Sequence, residues 1–526
     1  MAELSFNPKI VADYFGEIMK LPHASAEEDP LRAAVYTWLT DPAYGIGIAT
    51  ENVFYDATAT DPGRRIIYAF RPGTNGHEPI ILQAHLDMVV VTDPPGIDPF
   101  PLQAVYDAEG WLQAHANGSP ETKSSLGADN GVGIASMLAF LQDSDLKDYP
   151  IECLFTVQEE TDMGGASRFD TALLKGRTLI NVDSEEAGLI TYGSAGGFKT
   201  KYEGAIKREK MRPMPAFVKI ALNGLRGGHS GIDIANGRPN ALKLLVDGLC
   251  RMNKRLSNYT LLPNTLPQSY DFRIVSLART DTIKSNSIPT AAMAVLAVAE
   301  NQAVGLLKSF EEWFNALRIL YDASEQNMTI QLSSADTQAE DPLTTDATDN
   351  LLSFLRHVPQ GVIGVIPGYD PMVVETSSNL YEVSLDGATQ RTNTFSRTSN
   401  AALLGSMVDY CQSPLMQMYR NLGSLYGLTV TNAIEWSPAW PPNKDSPLLA
   451  TAEKVFATTY PDYQVEVVHA GLETGWFASR IPGMDSISVG PTYHDGHSVD
   501  ERLDTSSDQG FYDATKGVIL TRFQEQ

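Results

Sequence analysis

The sequence predicts a layered α/β fold carrying a large inserted α+β domain, and three observations predict it. Helical and strand patterns alternate along residues 1–189. The strand segments there are almost wholly apolar, as strands buried on both faces are, and acids fall where those strands end. From about residue 190 the pattern shifts to half-exposed strands and amphipathic helices.

In order, NPKIVADYFGEIMKL and RAAVYTWLTD space their apolar residues as helices do, and RRIIYAF and PIILQAHLDMVVV read as strands. NGVGIASMLAFLQD follows as a helix, then IECLFTVQEE and TLINVDSE as strands. Helices alternating with buried strands build an α/β layer architecture, whose ligands bind beyond the carboxyl ends of the strands. In IECLFTVQEE the adjacent Glu159 and Glu160 then project to opposite faces of an extended chain.

Further on, AFVKIALNGL alternates like a half-exposed strand, RPNALKLLVDGLCRMNKRL is helical, QSYDFRIVSLA a strand, and PTAAMAVLAVAENQAVGLLKSFEEWFNALRIL helix-like. Strand MTIQLSS opens a second series: helix DNLLSFLRHV, strands NLYEVSLD and NTFSRTS, and one long helix over NAALLGSMVDYCQSPLMQMYRNLGSLYG. Two successive, similar β-α-β-β-α-like halves are predicted. The Pro-rich WSPAWPPNKDSP marks the return to the first domain. The domains are therefore 1–189 with 438–526, interrupted by 190–437.

At 526 residues the chain exceeds a single ordinary core. Its 39 Lys and Arg against 64 Asp and Glu leave a net charge of −25, which argues against nucleic-acid binding and against anionic membranes. Three scattered cysteines (Cys153, Cys250, Cys411) supply no disulfide framework and fit a reducing compartment. MAELSFNPKI lacks the basic end and apolar run of a signal peptide, and AAMAVLAVA is too short to span a bilayer. A cytoplasmic location is expected.

The chemistry-bearing residues fall in separate clusters. In LQAHLDMV, His85 and Asp87 sit two apart in a strand and share a face; a metal-ligating imidazole usually gives its second N–H to such an acceptor. Asp129 lies in the Gly-bounded turn of SLGADNGVGIASM, before a helix, where a helix cap is the plainer reading. Glu159 and Glu160 follow in EET, Asp183 in INVDSEE, and SVGPTYHDGHSVDERL holds His494, Asp495, His497, Asp500 and Glu501. Histidines and carboxylates together suit a first-row divalent metal, and a shared carboxylate suits two. A GxSxG elbow, HExxH and a P-loop are absent, and no cysteine has a neighbouring His or basic cluster to mark it as a nucleophile.

Taken together, HLDMV, GADNG, EET, NVDSEE, GGHSG, SNSIP, HAGLETG and GPTYHDGHSVDER resemble the M20 family of dinuclear zinc peptidases. LPHASAEE and AWPPNKDSPLL are similar to its aminoacyl-histidine dipeptidase branch. The resemblance implies a zinc-peptidase catalytic domain, with a mixed sheet flanked by helices, and an inserted lid. It implies that His85, Asp129 and Asp183 hold one ion and Asp129, Glu160 and His497 the other, with Asp129 bridging. Asp87 would orient His85, and His494 is the alternative to His497. Glu159 would act as general base toward a water bridging two Zn²⁺ ions about 3.5–4 Å apart, with Mn²⁺ or Co²⁺ as the alternative metals.

From the lid, His229 in GGHSG matches the residue that polarises the scissile carbonyl, and Asn286 matches a substrate-binding asparagine. Arg397 is a candidate for the substrate carboxylate, while His469 and Glu473 match a motif near the site, either on the substrate side or behind the ligands. Asp162, Thr474 and Val499 stand where the branch commonly has Gly, Cys and Pro. The implied activity is hydrolysis of Xaa-His and other unblocked dipeptides. N-acyl amino-acid deacylase or aminopeptidase activity, or a non-catalytic binding protein on this scaffold, are the alternatives. Homodimer pairing through the lid is a further implication, unless an internally repeated lid replaces that contact.

Overall fold

The computed structural model describes residues 4–119, 121–256, 269–336, 340–369 and 371–526. The chain divides into two compact units, one of Met1–Ser194, Trp440–Val468 and Leu472–Gln526, the other of Ala195–Ala439 with His469–Gly471. Among the described residues no helix is long and apolar enough to cross a membrane.

The first unit is built on an eight-stranded mixed sheet. Across it lie Val53–Phe54, Ile67–Arg71, Ile151–Thr156, Ile80–His85, Thr178–Asn181, Asp485–Ser488, Leu189–Ser194 and Gln464–Val468. The strands from Ile151–Thr156 to Asp485–Ser488 run parallel to their neighbours. Because His85 pairs with Thr156 and Gln83 with Asn181, three strands deliver their carboxyl ends to one edge. All residues of those three strands are buried, as largely apolar strands of a covered parallel sheet are, and Gln83, Glu152, Thr156 and Asn181 among them are hydrogen-bonded. Helix Ala128–Gln142 is buried on nearly every side, packed on helix Lys9–Ile18 and on strand Ile80–His85. A smaller sheet contains the pair Tyr493–His494 and Arg502–Leu503, which brackets the loop carrying His497.

The second unit holds two antiparallel sheets of related topology. Strands Ala216–Asn223, Phe272–Arg279, Ala292–Val298 and Thr329–Ala335, with helices Ala241–Met252 and Glu300–Leu320, follow a β-α-β-β-α-β order. In that sheet the fourth strand lies beside the first and the second at the far edge. The five-stranded sheet repeats this arrangement with Gly196–Ala205, Val373–Asp386, Thr389–Thr398 and Thr429–Ser437, plus an edge strand at Gly361–Ile366.

The two halves are therefore nested, where the sequence predicts them in succession. Strand Thr329–Ala335 closes the first half, and the second takes its first strand from Gly196–Ala205, upstream of the whole first half. The long helix expected over 400–427 is also broken. Gly405 turns the chain at φ 75°, and Pro414 starts a new helix whose amide at Met416 is capped by Ser413 Oγ. The helix-like run from residue 289 begins as strand Ala292–Val298, paired on both sides, and becomes helical only at Glu300. The strand expected at QSYDFRIVSLA is observed as Phe272–Arg279; residue 268 lies outside the described residues.

Candidate metal centre

The buried strand Ile80–His85 ends on His85, and Asp87 lies two residues beyond. Asp129 opens the helix Ala128–Gln142 with non-helical dihedrals, after Gly127 at φ 71°, a conformation that suits a residue without Cβ. Asp183 follows strand Thr178–Asn181, and Glu159 and Glu160 follow strand Ile151–Thr156. The Glu pair is not in extended chain, as the sequence pattern suggests: Gln158 turns left-handed at φ 58° and the pair opens the short helix Glu159–Asp162. The two side chains therefore diverge by a helical step of about 100° and not 180°.

These elements bring the five ligand candidates together. His85 Nε2 lies 2.9 Å from Asp129 Oδ1 and 3.2 Å from Asp183 Oδ1. His497 Nε2 lies 2.8 Å from Glu160 Oε1 and 3.2 Å from Asp129 Oδ2. Asp129 thus turns one oxygen to each imidazole. His85, Asp129 and Glu160 each place one ligand atom within 4.8 Å of the others. His494, the alternative to His497, packs on Trp111 with ring centroids 5.0 Å apart and approaches Glu186 at 3.7 Å.

Three further carboxylates hold the loops that present these groups. Asp87 Oδ1 accepts the Glu159 N–H at 2.9 Å, and Oδ2 accepts the Glu160 N–H at 3.1 Å and the Ser25 hydroxyl at 2.7 Å. His85 Nδ1 reaches the Asp87 main-chain carbonyl at 2.9 Å, with the Asp87 carboxylate at 3.5 Å. Asp87 therefore orders the Glu pair as well as facing His85. Glu28, fully buried and paired with Arg65 at 2.8 Å, accepts the Gln158 N–H at 3.1 Å. Glu501 accepts the amides of Leu126, Gly127, Ala128 and Asp129 at 2.8, 3.1, 2.8 and 3.4 Å.

The electrostatics are those of a strongly anionic cluster. Burial pushes the Glu159, Glu160 and Asp183 carboxyls above their usual range, and the neighbouring acids push in the same direction. Hydrogen bonds to Asp129 and Glu160 raise His497 to about 11. Burial opposes the charged form of His85, yet Asp183, Asp129 and Asp87 hold its pKa well above 6.5. Burial takes Glu501 to about 7, with its amide donors pulling the other way. Five acids around two imidazoles carry more buried negative charge than an apolar interior tolerates unpaired. Imidazole nitrogens and carboxylate oxygens suit Zn²⁺ and its first-row neighbours, and the shared orientation of Asp129 suits a pair of them. The residues fit a dinuclear centre.

Beneath this edge runs a buried polar row across adjacent strands. Glu473 Oε2 accepts from Gln83 Nε2 and Thr156 Oγ1, both at 2.6 Å, and Asn181 Nδ2 donates to Gln83 Oε1 at 2.7 Å. Burial raises Glu473 to about 8.

The remaining substrate-side candidates belong to the second unit. His229 Nδ1 accepts the amides of Ile232 at 3.0 Å and Gly231 at 3.3 Å. That fixes the neutral tautomer with its proton on Nε2, and burial with the Arg397 charge lowers the pKa to about 4. Arg397 is buried, lies over the Phe395 ring and has no carboxylate partner among the described residues; burial lowers it to about 10. Its NH2 comes within 3.5 Å of His229 Nε2. His469 Nε2 meets Ser377 Oγ at 2.7 Å. Gly231 lets the chains close here, since a Cβ would come 2.1 Å from the His469 carbonyl oxygen. The Asn286 carbonyl accepts the Ser230 N–H at 2.7 Å, next to His229.

Sequence reasoning passed over Glu28 and the amide-clamping role of Glu501. Each lies in a motif that carries the resemblance, LPHASAEE or GPTYHDGHSVDER, as one of an acidic pair, Glu27-Glu28 or Asp500-Glu501, whose other member is exposed; the motif does not say which of the two the fold buries.

Comparison with known proteins places this geometry in a family. The profile of Peptidase family M20/M25/M40 matches residues 81–517. The chain belongs to that family and is a peptide-bond hydrolase. It is 32% identical over 518 residues to the cytosol non-specific dipeptidase of Escherichia coli strain K12, covering 96% of each chain. Its fold superposes with a TM-score of 0.80 on the aminoacylhistidine dipeptidase of Vibrio alginolyticus, at 27% identity over 99% of this chain and 98% of that one. Aminopeptidase PepT of Bacillus cereus shares the fold at a TM-score of 0.51 and 12% identity, covering 98% of each chain.

Proposed function

We propose that this chain is a metal-dependent dipeptidase acting on Xaa-His and other unblocked dipeptides. The observation that carries the proposal is Asp129 held between His85 and His497, with Glu160 on His497 and the adjacent Glu159 carboxylate bound by no other described side chain. The full-length similarity to a dipeptidase supports the substrate class.

In this reading His85, Asp129 and Asp183 hold one ion and Asp129, Glu160 and His497 the other. Two divalent ions held there, Zn²⁺ in our assignment, would supply the positive charge to polarise the scissile carbonyl and acidify a water. Glu159 does the proton transfer. Burial and the charges of Glu160, Asp183 and Glu473 raise its affinity for a proton, so its carboxylate can take one from the water and pass it to the leaving amine. Asp87, clamping both main-chain amides of the pair, keeps Glu159 aimed while Glu160 ligates. His229, neutral and protonated at Nε2, is a hydrogen-bond donor for the developing oxyanion. Arg397, a buried cation with no acid partner among the described residues, is the group for the substrate carboxylate, with Asn286 and His469 as its neighbours in recognition. Glu473 anchors the floor beneath the ligands. We assign residues 190–437 to substrate recognition, and pairing of two chains belongs to the same reading.

The test is an activity screen of Zn²⁺-reconstituted protein across dipeptides, tripeptides and N-acetyl amino acids, with elemental analysis after dialysis. Turnover confined to unblocked dipeptides, with two ions per chain, supports the proposal. Preference for N-acetyl amino acids would make it a deacylase, and fewer than one ion per chain would point to a non-catalytic binding protein.

A further inference from the structure

Glu501 is 2% exposed, and its carboxylate is spent wholly on main-chain amides. Oε2 takes Leu126 and Gly127, and Oε1 takes Ala128 and Asp129. These four donors are the turn that leads into Asp129 and the first residues of helix Ala128–Gln142, whose amino end carries partial positive charge. A carboxylate satisfies that end fully, because each oxygen has two lone pairs to offer. Glu501 also stands four residues after His497, inside the loop bracketed by Tyr493–His494 and Arg502–Leu503. The clamp therefore ties the loop that delivers His497 to the turn that delivers Asp129. Its neighbour Asp500 is turned away, to Lys123 at 2.6 Å on the exposed side.

We propose that Glu501 is a positioning residue for the metal pair: by gripping the amides of Leu126, Gly127, Ala128 and Asp129 itself it sets the distance between Asp129 and His497, so that the shared ligand and the last ligand arrive as one preformed unit. This rests on the reading of Asp129 as the shared ligand. Glu501 touches neither substrate nor ion, and its effect passes through the two ligands whose loops it joins. Its loss lowers affinity for metal first, while turnover recovers once metal is supplied in excess.

The experiment compares the full chain with Glu501→Gln, Glu501→Asp and Ser446→Ala, by chelator competition for Zn²⁺, elemental analysis and steady-state kinetics at limiting and saturating Zn²⁺. Glu501→Gln removes the charge and turns an N–H₂ toward amide donors. It should weaken Zn²⁺ binding by about 10–100-fold, the range for groups that orient ligands, with kcat restored at saturating Zn²⁺ and KM unchanged. Ser446→Ala removes the cap of another helix of the same unit, where Ser446 Oγ accepts the Leu449 N–H at 2.9 Å, and should leave Zn²⁺ affinity unaltered. If Glu501→Gln does not fold, Glu501→Asp keeps the charge but is one methylene short, and a several-fold loss of affinity is expected. Wild-type affinity in the folded Glu501 variant, or an equal loss in Ser446→Ala, overturns the inference. A wild-type chain that takes up fewer than two ions overturns instead the assignment of Asp129 as shared ligand.

Discussion

Replacing Asp87 with Asn removes one charge and one acceptor from the clamp on the Glu159 and Glu160 amides. In the wild-type chain its two oxygens receive the Glu159 N–H at 2.9 Å, the Glu160 N–H at 3.1 Å and the Ser25 hydroxyl at 2.7 Å. An asparagine offers one acceptor oxygen and places an N–H₂ where the other stood, so at least one amide loses its partner and faces a donor. A hydrogen bond to a charged group contributes about 1.5–3 kcal/mol. With about 1.4 kcal/mol per tenfold, Asp87→Asn should lower kcat/KM by about 10–100-fold. The assay is steady-state hydrolysis of an unblocked dipeptide at limiting and at saturating Zn²⁺, with metal content measured on the same samples. Both ions should remain bound while turnover falls, because the amides that lose their anchor belong to Glu159 and Glu160. Wild-type kcat/KM would refute the reasoning. Full recovery with added metal would show that Asp87 acts through His85 alone.

Two other outcomes follow from the same geometry. Arg397→Met removes a buried cation that has no acid partner among the described residues; KM for dipeptides should rise about 10–100-fold, one charge-assisted bond, and an unchanged KM would remove Arg397 from recognition. Metal removal should make stability pH-dependent in a set direction. Burial raises Glu473 from 4.5 to about 8, and its carboxylate neighbours raise His497 from 6.5 to about 11. The folded metal-free chain then keeps protons that the unfolded chain has released, so stability falls as pH rises from about 4.5 through 8. Thermal unfolding at pH 6 and pH 8 should show the metal-free protein weaker at pH 8 and Zn²⁺ narrowing that difference; a metal-free protein stronger at pH 8 would contradict it.

Much of the first unit was legible because buried parallel strands leave mostly apolar runs, and these three end on His85 or lead within a few residues to Glu159, Glu160 and Asp183. The placement of Glu159 and Glu160 was not, since the pattern of IECLFTVQEE carries no mark of the left-handed turn at Gln158. The second unit hid its topology for a related reason. Strand residues record which face is buried, not which partner is paired, so Gly196–Ala205 could not be assigned to a sheet completed more than two hundred residues later at Thr429–Ser437. The break at Ser413-Pro414 was readable, as a cap followed by a proline at the first helical position. Glu28 and Glu501 work through main-chain amides, which have no sequence signature. Their chemistry becomes visible only when the loops they hold are in place.

In the proposed reaction Glu159 moves the proton while Glu160, beside it, ligates. The direct measurement is Glu159→Gln, reconstituted with Zn²⁺, analysed for bound metal and assayed on the best dipeptide substrate. Two ions per chain should remain, while kcat falls by about 10²–10⁴-fold, the contribution of a positioned general base. A variant that keeps both ions and near wild-type kcat would contradict the claim.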